Sequence, residues 1–399
     1  MVRLWLARAM RRFLTAALAA AALAPASAAA EPRLEARAIL PADATFPAPW
    51  PAAPNTLPAP APGSTQPVGG FSALLYAGAG RFWAMPDNGY GGRANSRSFI
   101  LRVYKVRPLW ETKRGGSGHV EVLSAITLRD PDRKVPFPIV RENTPERILT
   151  GGDLDIESLR IGRDGTMWFG DEFGPFILHT DATGKVLDAP VPTPGVLSPD
   201  NPFRLGRPAN LPGSNGFEAM ALSSDGRTLY PILEGPLVGA DPLDRVVFEV
   251  DVRNRRFTGR RWTYRMSRPG TLVSDAVAYG RDRLIVLERD NGQGATAQWK
   301  RAFLTDVPRG GPSTLRKEEI VDLLNIRDPH LISLPARPGD VGLGDPFQFP
   351  YQTVESVLPL SRRDLTFVND TNFGTLGRNP NLPDYSDFIV VEVPRLARR

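Results

Sequence analysis

The chain of 399 residues contains no cysteine, which excludes disulfide bonds, thiolate metal sites and a cysteine nucleophile. It has three histidines and no HExxH motif, so a zinc site has poor support. A GxSxG nucleophile elbow and a Walker phosphate loop are also missing. No dense cluster of Lys and Arg with interleaved aromatics occurs, which argues against nucleic-acid binding.

Long apolar runs are missing too, apart from a short one near the N-terminus. Residues 1–30 combine a basic start (Arg3, Arg8, Arg11, Arg12), an apolar run from Phe13 to Ala24 and three alanines that end at Ala30. This pattern predicts a signal peptide cleaved near Ala30, and a periplasmic or secreted protein; the Sec and twin-arginine routes both stay open. The mature chain has no membrane span, and without the four arginines its formal charge falls from +6 to +2.

What the sequence has in abundance is Gly (37) and Pro (40), which suits many short strands joined by turns. A repeat unit is present: a short strand that starts near an acid, a turn, a second strand and an acidic, Gly-rich loop. Asp164-Gly165 and Asp225-Gly226 are hairpin signals within it. The five copies are FSALLYAGAGRFWAMPDNG from Phe71, DIESLRIGRDGTMWFGDEFG from Asp155, FEAMALSSDGRTLYPILEG from Phe217, VSDAVAYGRDRLIVLERDNG from Val273 and VESVLPLSRRDLTFVNDTNFG from Val354.

A third strand follows each copy, and a fourth follows all but the last. The sequence therefore predicts an all-β fold, a β-propeller of five four-stranded blades, with a sixth still possible in the longer connections. The run Leu34–Leu40 is predicted to close the last blade. We expect residues 31–68 to hold this strand and a Pro/Ala-rich strap, and residues 69–399 to form the propeller.

Acidic residues fall at two fixed places in the repeat: where the first strand begins, and in the loop between the second and third strands. Topology brings both places to one face, near the central channel. Crowded carboxylates repel one another, and an oxygen-only ligand set suits Ca²⁺. Turn formation alone also favours Asp and Asn, so single residues can be structural. The predicted calcium ligands are Glu157, Glu218, Glu355, Asp171, Glu234, Asp370, Asp275 and Asn88.

Two stretches carry a family resemblance. DLDIESLRIGRDGTMWFGDEFGPFILHTDATGKVL and GFEAMALSSDGRTLYPILEG resemble the "esterase-like activity of phytase" family of secreted bacterial propellers. The more specific parts are Asp171–Phe176 and Gly216–Ala219, and the resemblance extends from about Gly69 to Val393. It implies a phytase-like propeller that hydrolyses phosphate or other esters. The RHG motif of histidine acid phytases is missing, so that mechanism is not available.

The leading hypothesis is a metal-dependent hydrolase, with a small phosphate ester as substrate. Glu172 or Glu288 is the predicted base, and Arg93, Arg97 and Arg289 are predicted to bind the substrate, since arginine suits phosphate. A calcium-dependent lactonase or carboxylic-ester hydrolase is one alternative. A non-catalytic propeller with structural calcium that binds a glycan or a protein is another. We expect a monomer; the substrate and the number of ions stay open.

Overall fold

The computed structural model describes residues 31–310 and 313–396, and the predicted signal peptide lies outside the described residues. Strands dominate this part of the chain, and one 3-10 turn spans Gly294–Thr296. Within it, no helix is long and apolar enough to pass through a bilayer.

The N-terminal segment forms three strands, β1 (Arg33–Leu40), β2 (Thr45–Pro47) and β3 (Thr65–Pro67). β2 and β3 pair as an antiparallel ribbon at the two ends of the Pro/Ala-rich stretch. Between them Trp50 is buried, and its Nε1 donates a hydrogen bond of 2.7 Å to the carbonyl of Ser98. The stretch is therefore anchored on the first repeat unit by an aromatic residue.

The first repeat unit is a four-stranded antiparallel sheet, and a further short strand beside it pairs with β1. Ala79 and Gly80 both have positive φ in the tight turn between the first two strands. Its strands are β4 (Phe71–Gly78), β5 (Arg81–Pro86), β6 (Arg102–Leu109), β7 (Glu111–Thr112) and β8 (His119–Thr127).

The second and third units repeat this plan, each as a four-stranded sheet. Their Asp-Gly turns form as predicted: Gly165 and Gly226 have φ of 82° and 71°, and the Asp164 carboxylate accepts the backbone N–H of Thr166. The strands are β9 (Ile156–Ile161), β10 (Met167–Asp171), β11 (Phe176–Thr180), β12 (Val191–Pro192), β13 (Ala219–Leu222), β14 (Thr228–Ile232), β15 (Asp244–Asp251) and β16 (Arg256–Arg265).

The fourth unit is a four-stranded sheet, and the last one has three strands of its own. β1 supplies the fourth by pairing antiparallel with the final strand, so the predicted closure by Leu34–Leu40 is confirmed. The strands are β17 (Thr271–Ala278), β18 (Arg283–Asp290), β19 (Lys300–Asp306), β20 (Lys317–Asp322), β21 (Val354–Pro359), β22 (Asp364–Asn369) and β23 (Ser386–Glu392).

The first strands of the units form a ring around a central axis. β4 contacts β9, and contacts continue through β13, β17 and β21 back to β4. Apolar side chains fill the space between neighbouring sheets. A buried ion pair ties the closing strands together: Arg37 Nε of β1 lies 2.9 Å from Asp387 Oδ1 of β23. The fold is therefore the predicted all-β propeller, with its inner strands around the axis.

Candidate functional site

A cavity of about 620 Å³ opens at the end of the ring where the first strands begin. Both kinds of acidic position in the repeat contribute to it, as the topology predicts. Amide side chains, among them Asn88, Asn215 and Asn291, line it as well. Its carboxylates are Asp87, Asp155, Glu157, Glu172, Glu218, Glu234, Glu355 and Asp370.

Three of these acids hold the same place in the repeat, one residue after a buried apolar residue at the start of the inner strand. They are Glu157, Glu218 and Glu355. Since side chains alternate along a strand, this place faces the axis. Ser72 holds it in the first unit, and its hydroxyl donates a hydrogen bond of 3.4 Å to Glu355 Oε2. The repeat position that predicted the three glutamates therefore also places Ser72 at the axis, although Ser72 was not among the predicted site residues.

The acids are buried, and burial together with mutual repulsion raises their pKa values. Desolvation is the larger cause for Asp370, whose pKa rises to about 8, with repulsion from Glu355 second. The pKa of Asp155 rises to about 6 for the same leading reason. Desolvation, and then neighbouring carboxylates, raise the pKa values of Glu157 and Glu172 well above the ordinary range. Without a bound cation, the cavity therefore retains protons.

On one side of the cavity, the guanidinium of Arg289 lies among the carboxylates. Arg289 Nη2 lies 3.1 Å from Glu234 Oε1 and 3.3 Å from Glu355 Oε1, and Nη1 donates to Asn291 Oδ1 at 2.7 Å. Glu218 Oε1 lies 3.5 Å from the same Nη2. Among the described residues that line the cavity, Arg289 is the one basic side chain. We call Arg289, Glu234 and Glu355 the arginine side.

Another part of the cavity has carboxylates that form no ion pair with Arg289. We call Asp87, Asp155, Glu157 and Glu172 the open side. Oxygen atoms of Asp87, Asp155 and Glu157 lie within 4.8 Å of one another, and so do oxygens of Glu157, Glu172 and Glu218.

Several of these oxygens have no hydrogen-bond partner among the described residues. They are Asp155 Oδ1, Glu172 Oε1 and Glu218 Oε1, and all three are buried. A buried carboxylate oxygen without a donor is costly, and a hard cation offsets that cost. Carboxylate and amide oxygens are also the ligands that Ca²⁺ takes. The residues present therefore fit a divalent cation on the open side.

Two predicted ligands lie outside the cavity, which corrects the expectation that every acid of the repeat faces it. Asp171 accepts the backbone N–H groups of Asp155 at 2.9 Å and Gly174 at 2.7 Å, so it fixes the loop after β10. Asp275 comes one residue after the repeat position that faces the axis. Its side chain therefore lies between neighbouring sheets, where its Oδ1 is 2.7 Å from Arg160 Nη2. Burial raises the pKa values of both carboxyl groups.

Glu288, one of the two predicted bases, is also outside the cavity. It precedes Arg289 in β18, and strand alternation sends the two side chains to opposite sides. Glu288 is buried against the outer strands, where it accepts hydrogen bonds from Tyr264 Oη at 2.7 Å and Trp299 Nε1 at 3.2 Å and pairs with Lys317. The other predicted base, Glu172, lines the cavity.

Arg93 and Arg97 lie in a groove beside the cavity rather than within it. The groove has a volume of about 960 Å³ and shares Gly91 and Ser214 with the cavity wall. The Arg93 guanidinium lies 5.1 Å from the centroid of the Phe173 ring. The two predicted arginines are therefore placed next to the acids, along a continuous surface.

Comparison with known proteins gives a family and several distant relatives. The family model "Phytase-like: Esterase-like activity of phytase" matches residues 66–373. A protein of Arthroderma benhamiae named "Uncharacterized secreted protein" is 31% identical to this chain. The match covers 39% of this chain and 40% of that protein, so the chain spans about two fifths of its curated relative.

Several solved structures are similar to this chain at low sequence identity. A luciferin-regenerating enzyme is 13% identical with a TM-score of 0.37, covering 79% of this chain and 75% of that one. An exo-β-1,3-galactanase of Phanerochaete chrysosporium is 9% identical with a TM-score of 0.42, covering 90% and 64%. The Dos1 propeller is 9% identical with a TM-score of 0.33, covering 80% and 66%.

Proposed function

Since the chain belongs to the phytase-like family described by esterase-like activity of phytase, we propose that it is an exported, metal-dependent hydrolase of phosphate esters. The cavity that we assign as its active site contains the open side and the arginine side together. The observation that carries the proposal is the set of buried carboxylate oxygens that face one cavity without hydrogen-bond donors.

Calcium is the cation that we propose for this site. When bound, it would supply positive charge to phosphoryl oxygens and polarise the bond to be cleaved. Asp87, Asp155 and Glu157 on the open side would hold it, because oxygens of these three residues lie within 4.8 Å of one another. Asn88 lines the same wall, where its Oδ1 also accepts the N–H of Gly91.

Two further side chains of the cavity have roles in the proposed reaction. Glu172 is assigned to accept a proton from the attacking water, since it lines the cavity and its Oε1 has no hydrogen-bond partner among the described residues. Arg289 is assigned to orient the substrate, because it is the one basic side chain among the described residues that line the cavity. Its guanidinium is held in place by the glutamates of the arginine side.

The groove next to the cavity suits the remote part of the substrate. Phe173 and Arg93 together present an aromatic face and a positive charge, and Arg97 is exposed along the same groove. We propose that these arginines bind a second anionic group of a substrate whose scissile phosphate lies in the cavity. Export is supported by the predicted signal peptide and by the relative that is named as a secreted protein.

A hydrolase of carboxylic esters or lactones is the second candidate. It is favoured by one observation: Arg289 is the single basic side chain among the described lining residues, and three glutamates surround it. A neutral ester therefore meets less repulsion in the cavity than a phosphate does.

The experiment that tests both candidates compares substrates with calcium and with chelator. The mature protein is incubated with p-nitrophenyl phosphate, phytate, p-nitrophenyl acetate and simple lactones. Phosphate release that stops with chelator is expected from the proposal. Turnover of esters or lactones alone supports the second candidate. If calcium raises the unfolding temperature and no substrate turns over, the protein is a binding propeller with structural calcium.

A further inference from the structure

We propose that the open side holds two divalent cations, bridged by the carboxylate of Glu157. This inference rests on the proposed function, because it takes the same cavity to be a cation site. It goes further in stating the number of ions and the residue that joins them.

The two positions are defined by two sets of ligands that share one member. The first set is Asp87, Asp155 and Glu157, and the second is Glu157, Glu172 and Glu218. The first set draws on the first and second repeat units, whereas the second set draws on the second and third. Glu157 stands at the start of β9, where the two sets meet.

Each set also contains a buried oxygen that lacks a donor, which is evidence independent of the clustering. In the first set it is Asp155 Oδ1, in a residue that is 2% exposed. In the second set they are Glu172 Oε1 and Glu218 Oε1, in residues that are each 4% exposed. A single cation beside one set leaves the unpartnered oxygens of the other set without compensation.

The charge of the cavity favours more than one cation. With every carboxylate ionised, the eight acids and Arg289 carry a formal charge of −7. One divalent cation lowers this to −5, and two lower it to −3. Arg289 offsets one of the three charges of Glu218, Glu234 and Glu355, whereas the four acids of the open side have no ion pair with it.

A carboxylate can serve two ions, because each of its oxygens can bind one of them. Pairs of cations about 3.5–4 Å apart are a recurrent arrangement in enzymes that cleave phosphate esters, where they clamp the reacting oxygens. Two cations therefore narrow the substrate class: a phosphate monoester can offer an oxygen to each ion, whereas a neutral ester offers one carbonyl oxygen.

The test is calorimetric titration of CaCl₂ into the mature protein after chelator treatment and dialysis. We expect two calcium ions per wild-type chain. Asp87→Asn removes one ligand of the first set and Glu172→Gln one ligand of the second, so each variant should bind one ion. Glu157→Gln should weaken both ions at least tenfold. The matched control is Glu234→Gln on the arginine side, which should still bind two.

Two further variants keep the test decisive if a protein fails to fold. Asp155→Asn replaces Asp87→Asn in the first set, and Glu218→Gln replaces Glu172→Gln in the second. Circular dichroism in chelator identifies folded variants. A folded Glu157→Gln protein that binds two ions as tightly as the wild type overturns the bridging role.

The titration measures the number of bound ions and the activity assay measures hydrolysis, so each can contradict its own proposal without the other. One calcium ion per wild-type chain, with phosphate release that depends on it, overturns the two-cation inference and leaves the proposed function intact. Two ions without hydrolysis of any phosphate ester support the inference and contradict the proposed function. Failure to bind any calcium overturns the inference and the metal dependence of the proposed reaction.

Discussion

Both sides of the cavity contain buried carboxylates, but among the described residues only one side has a basic side chain that offsets their charge. On the arginine side, Arg289 lies within about 3.5 Å of three glutamates and is fixed in the chain. On the open side, oxygens of four acids converge and some have no donor. A fixed cation cannot be exchanged, whereas an open cluster of carboxylates suits the exchangeable ion that we propose.

The pKa values record this difference. Burial raises the pKa of Glu234 only to about 6, because Arg289 and then Arg245 oppose the desolvation. Glu172 is equally buried, but its neighbours are carboxylates, and its pKa is raised well above the ordinary range. Glu172 and Glu234 hold the same place in successive repeats, and the guanidinium near Glu234 explains why their pKa values differ.

The largest effect is expected when the fixed cation is removed. Arg289→Met leaves three buried glutamates without a partner, and losing one member of a buried ion pair costs about 3–5 kcal/mol. The free energy of unfolding, measured with urea in chelator at pH 7.5, should fall by that amount. The control is Arg281→Met, in the exposed turn between β17 and β18, which should change little. Equal effects of the two substitutions would contradict the role of Arg289.

Removing calcium from the wild-type protein tests the other side. At a calcium concentration of 100 times the Kd, one site adds about 2.7 kcal/mol to the free energy of unfolding. Chelator should therefore lower the unfolding temperature of the wild type clearly, and Glu157→Gln should lose most of this response. An unfolding temperature that is the same in calcium and chelator would show that the open side binds no calcium.

Stability should depend on pH in a direction opposite to that of ordinary acids. A carboxylate with a raised pKa binds its proton more tightly in the folded chain, so stability falls as pH rises toward the folded pKa. Asp155 titrates near 6 and Asp370 near 8. In chelator, the unfolding temperature should fall between about pH 4 and pH 8. Calcium should flatten this fall, because it favours the ionised groups.

The smallest expected effect is that two matched substitutions change the free energy of unfolding in opposite directions. In chelator, Glu172→Gln replaces a carboxyl group that must take up a proton on folding by a neutral amide, and it should raise the free energy of unfolding by about 1 kcal/mol. Glu234→Gln removes a partner of Arg289 and should lower it by a similar amount. Urea unfolding of both variants measures this, and changes of equal sign would remove the distinction between the two sides.

Much of the fold was predictable, because the repeat is strong and its turns are specific. The Asp-Gly pairs at Asp164 and Asp225 mark hairpins that form, and the closure by Leu34–Leu40 follows from a missing fourth strand. The position of Glu157 and its equivalents was predictable for the same reason, since alternation from a buried residue assigns each side chain to a face.

The rest of the site was not predictable, because one residue of register decides which face an acid takes. Asp275 and Glu288 lie in strands whose pairing has an irregularity between Val273 and Asp275, and both point away from the axis. Asp171 satisfies backbone N–H groups, which no pattern of acids distinguishes from a metal ligand. Arg289 was predicted as a substrate ligand, and its contacts with Glu234 and Glu355 could not be predicted, because they join residues 55 and 66 positions apart in the sequence.

The pairing of β1 with β23 also sets the order in which the molecule is assembled. Arg37 and Asp387 are 350 residues apart, and bringing two such points together costs about 5 kcal/mol of chain entropy. The ring therefore closes only after the last strand is available, and Glu355 and Asp370 join the other acids late. The arginine side, which includes Glu355, is thus complete only after the ring has closed, and the whole cavity forms in the compartment where the chain folds.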